Sequence, residues 1–222
     1  MAGRTAIVFG GTGLVGRSVI DELIKNENYG LIRVLTRSKV NYPGQLKIMN
    51  FIVDFGHPES FSEQIRGDDL FICLGTTIRK AGSVRKMEEI DRDLPVTLAK
   101  SAKSNNVKRI AVVSSIGADP GSSNYYLRIK GEMEQQILGL DFETVAVVRP
   151  SLLLGERKEK RFGESAGKVF MKIFGTLLFG KFRKYRAIEA EHVACAMIRI
   201  LQEETGKKIF ESDHLQKIAG HK

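Results

Sequence analysis

A chain of 222 residues, 42% hydrophobic and 27% charged, has room for one α/β domain with a full core and is short for two. No apolar run approaches the roughly 20 residues that span a bilayer, and "MAGRTAIVFG" enters a strand at once, so neither stable membrane insertion nor a signal peptide is expected. The net charge of +9 is concentrated between Arg149 and Arg186, where eleven Lys or Arg stand against three Glu; the rest is near neutral and carries no nucleic-acid-binding motif.

The elements alternate. A strand at 5–9 runs into the glycine turn "GGTGLVG" and a helix at 14–26. Strands at 32–36 and 47–53 follow, then a short helix at 59–65 and a strand at 70–74. A helix at 84–104, a strand at 109–114, a helix at 127–138 and a strand at 144–148 continue the pattern. A helix at 190–202 and a weaker strand at 208–211 close it. Several strands are near-continuous Val, Ile, Leu and Phe, as strands covered on both faces require. This alternation predicts a Rossmann-like, doubly wound parallel sheet: one domain over 1–222, with a small substrate-side or lid element at 151–186. Cys73 and Cys195 lie in apolar segments and are expected to be buried thiols in a reducing, cytoplasmic setting. His57, His192, His214 and His221 lack metal-ligand spacing, so no metal is expected.

Gly10, Gly13 and Gly16 recur every third residue between strand and helix. The first permits a sharp reversal, the second lets an anion approach the unpaired amides of the first helical turn, and the third lets helix and strand pack closely. A dinucleotide site is expected there, formed with Thr12, Leu14 and Val15. Ligands in open α/β sheets bind beyond the carboxyl ends of the strands, and those ends are Gly10, Arg37, Asp54, Gly75-Thr76-Thr77, Ser114-Ser115 and Arg149-Pro150. Leu74, Gly75 and Thr76 join the cofactor set. Arg37 stands where an NAD-preferring site carries an acid. Its planar fork suits a 2′-phosphate, so NADP(H) is expected over NAD(H). Asp54 is a candidate acceptor for the adenine amino group, and equally a turn aspartate.

Ser115, Tyr126 and Lys130 form a second constellation. Tyr126 and Lys130 are four apart in "YLRIK" and share a helix face. A phenol of pKa ~10 is a poor proton donor-acceptor near neutrality unless a nearby ammonium stabilises its anion. Lys130 supplies that charge and a hold on the nicotinamide ribose, while the Ser115 hydroxyl can orient a carbonyl.

"GGTGLVG", "VSS" and "YLRIK", in this order, resemble the short-chain dehydrogenase/reductase superfamily in its extended or atypical branch. "VDF", "CLGTT", "RKAG", "DRDL", "SSIGAD", "YLRIKGEME" and "VVRPSLLLGER" are similar to the Tat-interacting-protein oxidoreductases within it, from Ala6 to about Leu201 and more weakly after Arg157. The resemblance implies a Rossmann-like sheet and an NADPH site on Gly10, Gly13, Gly16, Arg37 and Asp54. It also implies a catalytic set of Ser115, Tyr126 and Lys130. It departs at Asp91 in "EEIDRDL", where many extended relatives carry asparagine, so no relay role is carried over to that position.

The expected activity is NADP(H)-dependent hydride transfer to or from a small-molecule carbonyl or alcohol. The alternatives are an NADPH sensor acting through a protein partner and a membrane-surface protein. In "GKVFMKIFGTLLFGKFRKY", Phe170, Ile173, Phe174, Leu177 and Leu178 form one helical stripe flanked by Lys168 and Lys172. A lid or a homodimer contact is the favoured reading over a membrane interface.

Overall fold

The structure, a computed structural model, describes residues 3–155 and 180–220. Its centre is built from β1 (Arg4–Phe9), β2 (Tyr29–Thr36), β3 (Ile48–Ile52), β4 (Asp69–Ile72), β5 (Arg109–Val113), β6 (Thr144–Arg149) and β9 (Gly206–Glu211). These seven strands pair in parallel throughout, in the order β3-β2-β1-β4-β5-β6-β9. A separate parallel pair, β7 (Leu153–Leu154) and β8 (Ile188–Glu189), joins the two ends of the expected substrate-side element.

Side chains alternate across a strand, and here the two faces feed two cores. Ala6 and Val8 of β1, Phe71 of β4, Ala111 of β5 and Ala146 and Val148 of β6 face one way. They meet α1 (Leu14–Lys25) and α6 (Ala190–Glu203), with α7 (Ser212–Gly220) packed on α6. Ile7, Phe9, Leu70, Ile72, Ile110, Val112, Val145 and Val147 face the other way, against α4 (Leu94–Ser104) and α5 (Tyr125–Leu138). With both faces covered, every central strand must be apolar on both sides, which is why the sequence shows runs rather than alternation.

Several elements differ from expectation. The helix expected over 84–104 is divided into α3 (Val84–Glu88), a π turn (Glu89–Asp93) and α4. Pro95 has no N–H to offer the Asp91 carbonyl and its ring crowds that oxygen, so the chain widens there. α5 begins two residues early because the Asn124 side chain accepts the Leu127 N–H at 3.2 Å and caps it. A short α2 (Ile78–Ala81) and α7 were not anticipated. Cys73 and Cys195 are half-buried rather than buried. The apolar stripe from Phe170 to Leu178, with Lys168 and Lys172, lies outside the described residues.

At the amino edge of the sheet, buried Asp69 accepts the Tyr29 hydroxyl at 2.6 Å and pairs with Arg109, while Arg4 stands 3.7 Å away. Burial, then the Asp69 charge, raises the Tyr29 phenol far above its ordinary range, so it remains a donor. A hydrogen bond to a charged group is worth about 1.5–3 kcal/mol, so Tyr29→Phe should lower stability to urea by about that amount. An unchanged unfolding midpoint would show that the bond adds nothing to the fold.

Candidate functional site

β1 lies between β2 and β4, the point where strand order reverses. The crevice beyond the strand ends at such a point is the usual ligand position in open α/β sheets. A cavity of about 510 Å³ opens there. Thr12, Gly13, Leu14 and Val15 form one wall, Leu74, Gly75 and Thr76 another, and Tyr126 and Lys130 a third. Arg37 lines it from the end of β2.

The glycine turn is as tight as its spacing predicts. Gly10 has φ +81°, and a Cβ there would lie 2.4 Å from the Cys73 carbonyl oxygen. A Cβ on Gly16 would lie 2.1 Å from the Gly10 oxygen, so any larger residue forces backbone apart. Gly10 and Gly16 therefore shape the turn from behind, and neither lines the cavity. Gly13 donates its N–H to the Gly10 carbonyl at 2.8 Å and begins α1. No side chain caps this helix and no acid stands in its first turn, so its amides face the cavity at the positive end of the dipole. That cradle fits the pyrophosphate of a dinucleotide.

Asp54 is placed elsewhere. It is exposed, off the cavity wall, and its Oδ1 accepts the Gly56 N–H at 2.9 Å in a turn. That contact is the turn-forming role that the sequence offered beside the adenine contact. Four wall residues were given no site role by sequence reasoning: Arg17, Cys73, Val113 and Ser114. Arg17 was legible as the residue after Gly16 on the same helix start, and Ser114 as the neighbour of Ser115.

The two serines differ. Ser114 lines the cavity and donates its hydroxyl to buried Glu134, which Arg149 grips through both oxygens. Ser115 is half-buried and is not part of the wall. Among the described residues its hydroxyl makes one long contact, 3.4 Å to the Ile116 carbonyl. The loop that follows is fixed onto α5: the Asp119 N–H reaches the Leu127 carbonyl at 3.1 Å. At Gly131 a Cβ would come within 2.3 Å of the Asp119 carbonyl carbon. The strand end and the first turn of α5 are thereby held together.

Tyr126 and Lys130 are one turn apart on α5, as their spacing predicts. Lys130 Nζ lies 2.8 Å from Asp91 Oδ1 and 3.5 Å from the Val113 carbonyl. Burial pulls its pKa down, but the Asp91 carboxylate and the Tyr126 side chain outweigh burial and hold it above the ordinary lysine value. The amine is therefore an ammonium at neutral pH. Cys73, also on the wall, has its thiol pushed up to about 12 by burial, so it stays protonated and unreactive.

Comparison with known proteins agrees with this geometry. The sequence profile of the NAD(P)H-binding family matches residues 10–204. The chain is similar to Protein HTATIP2 of Rattus norvegicus, 32% identical over 80% of this chain and 73% of that protein. It is also similar to Protein FMP52, mitochondrial, of Coccidioides immitis, 31% identical over 87% of this chain and 84% of that protein. The UDP-N-acetylglucosamine 4-epimerase from Methanobrevibacter ruminantium M1 shares the fold at TM-score 0.70 and 15% identity, covering 95% of this chain and 77% of that one. The Bordetella bronchiseptica enzyme WbmG in complex with NAD does so at TM-score 0.67 and 13% identity, covering 99% and 79%. The switch-point cavity, the glycine cradle and the extent of these matches have one common account: the chain belongs to the NAD(P)H-binding, atypical short-chain dehydrogenase/reductase family.

Proposed function

We propose that this protein is an NADP(H)-dependent oxidoreductase acting on a carbonyl or alcohol of a small molecule. One observation carries the reading: the uncapped start of α1 and the Tyr126–Lys130 pair open into the same cavity. The α1 amides and Gly13 would hold the pyrophosphate, Arg37 the 2′-phosphate, and Lys130 the nicotinamide ribose. When bound, the nicotinamide supplies or accepts the hydride. Tyr126 Oη gives its proton to the substrate oxygen during reduction and takes it back during oxidation. The Lys130 ammonium stabilises the phenolate left behind. Ser115, beside the wall at the end of β5, would supply the hydroxyl that orients the carbonyl, since the serine hydroxyl on the wall, that of Ser114, is committed to Glu134.

The sensor reading needs no proton donor on the cavity wall, and Tyr126 at that wall favours turnover. A thermal-shift screen with NADPH, NADH and then carbonyl compounds, nucleotide sugars among them, tests the whole assignment. A cofactor at 100 times its dissociation constant adds about 2.7 kcal/mol of stability. No shift with either nucleotide would remove the reading. Among the described residues no helix is long and apolar enough to cross a membrane. The fungal relatives carry a mitochondrial name, which competes with the cytoplasmic location expected from sequence; cell fractionation decides between them.

NADP(H) should bind more tightly than NAD(H). Losing a charge-assisted contact of about 1.5–3 kcal/mol predicts a roughly 10- to 100-fold weaker NADPH complex in Arg37→Asp, with NADH little affected or improved. Equal affinities in the unaltered protein would refute the 2′-phosphate assignment.

Tyr126→Phe should abolish reduction and leave NADPH affinity near normal, whereas Lys130→Ala should weaken both. Normal turnover by Tyr126→Phe would exclude Tyr126 as the proton donor.

The serines separate by readout. Ser115→Ala should lower kcat/KM by about 10²-fold or more, in line with loss of a transition-state hydrogen-bond donor, without a change in stability. Ser114→Ala should lower the melting temperature, since it strips a partner from Glu134. The reverse pattern in kinetics and melting would reassign the hydroxyl to Ser114.

A further inference from the structure

Lys130 is held more firmly than a ribose contact requires. Its side chain is 3% exposed, and the Asp91 side chain beside it is 0% exposed. Asp91 Oδ2 accepts the Thr76 backbone N–H at 3.0 Å, while Oδ1 lies 2.8 Å from the Lys130 ammonium. Three distant parts of the chain meet at this carboxylate. Thr76 belongs to the loop after β4 that lines the cavity, Asp91 to the π turn, and Lys130 to α5.

Pro95 creates the turn that aims Asp91 inward, and the next residue fixes it. Arg92 reaches Glu132 of α5 at 2.7 Å and Glu88 at 3.3 Å. Gly75 lies directly against the pair: a Cβ there would make ordinary contact, 3.4 Å from Asp91 Oδ1 and 3.8 Å from Lys130 Nζ.

We propose that Asp91 is a positioning residue of this site, its carboxylate tying the Lys130 ammonium to the backbone of the cofactor-lining loop. The tie stands on geometry; its catalytic consequence rests on the oxidoreductase reading above.

In this chain the two neighbours of Asp91 favour an acid over an amide. Both neighbours are hydrogen-bond donors, so both atoms facing them must be acceptors. A carboxylate offers two; an asparagine offers one and turns its N–H₂ toward the other donor. Charge points the same way. The groups facing Lys130 are Asp91 from the π turn, Tyr126 and Glu134 from its own helix, and the Val113 carbonyl from β5. Glu134 is already shared by Arg149 and Ser114. Without the Asp91 charge, burial has little to oppose it and the amine moves toward its neutral form. A neutral amine cannot stabilise a phenolate.

The test compares full-length wild type, Asp91→Asn and Asp91→Asn/Lys130→Met. Trace acetylation with mass spectrometry reads the neutral fraction of each lysine. A fall of one pKa unit gives about tenfold more neutral amine, so Lys130 labelling in Asp91→Asn should rise about tenfold or more while other lysines stay unchanged. The alkaline limb of NADPH binding should move to lower pH. The melting temperature should fall in the single variant and recover in the double, which buries no orphan charge. Unchanged Lys130 labelling, or a double variant no more stable than the single, overturns the proposal. If the single variant does not fold, a folded double supports the tie and an unfolded double overturns it. Wild type that fails to bind NADPH removes the oxidoreductase reading alone, and labelling and melting still decide the tie.

Discussion

Two backbone segments approach at Gly10 and Gly16 so closely that a Cβ on Gly16 would sit 2.1 Å from the Gly10 carbonyl oxygen. That approach sets where α1 begins relative to β1 and β4, because Gly10 is also pressed against the Cys73 carbonyl. The helix therefore starts directly over the gap where strand order reverses, with its first amides pointing into it. Had the turn been one side chain looser, α1 would ride higher on the sheet and the positive end of its dipole would face solvent. The cavity, the placement of Arg37 beside it and the reach from α5 across it all follow from this contact. The same apolar stripe of α1 (Val15, Val19, Ile20 and Leu23) that buries the helix also holds the cradle at fixed height.

Buried charge is divided between the two edges of the sheet. At the amino edge, Asp69 collects Tyr29, Arg109 and Arg4 and closes the ends of β1, β2, β4 and β5. At the carboxyl edge, Asp91 meets Lys130 and Glu134 meets Arg149 and Ser114. An uncompensated buried charge costs several kcal/mol, so each carboxylate has a partner, and the partners differ in what else they do. α5 supplies Lys130 and Glu134 to the carboxyl edge. Ile129, Met133 and Ile137 turn into the core, while Tyr126, Lys130 and Glu134, spaced four apart, run along the side facing β5 and the cavity. One helix thus carries its reactive groups on a rail fixed by packing.

The sheet was legible because strands covered on both faces must be apolar over their middles, and β1, β4, β5 and β6 carry such runs after polar first residues. The edge strand β9 was harder to read: Gly206 to Ile209 are exposed, so only its last residues carry the signal. The glycine turn and the Tyr126–Lys130 pair were legible because local geometry, three- and four-residue spacing, defines them. Asp91 was visible only as a departure, since its partner is brought to it by tertiary folding. Pro95 held the clue, but a single proline near the middle of a helical pattern was read through rather than as a widened turn. Asp54 supported two readings in sequence, a ligand contact from its place after a strand and a turn; its side chain accepts an N–H within its own turn.

The cavity wall carries Arg17, Arg37, Lys80 and Lys130, with no Asp or Glu among the described residues that line it. These cations do not do the same work. Arg37 is exposed, so its pull on an anion passes through water and is screened over about 8 Å at physiological ionic strength. Lys130 is buried, and its field toward Tyr126 is barely screened, but most of it is spent on Asp91 directly beneath. The outer arginines can therefore attract and orient a multiply charged ligand without disturbing the inner pair. Conversely, the inner pair keeps a nearly neutral sum as ligand charge arrives, which lets Lys130 respond to the small, local charge that develops on the Tyr126 oxygen. A wall of four equivalent exposed cations would bind an anion as well, yet would leave that oxygen facing water rather than a fixed ammonium.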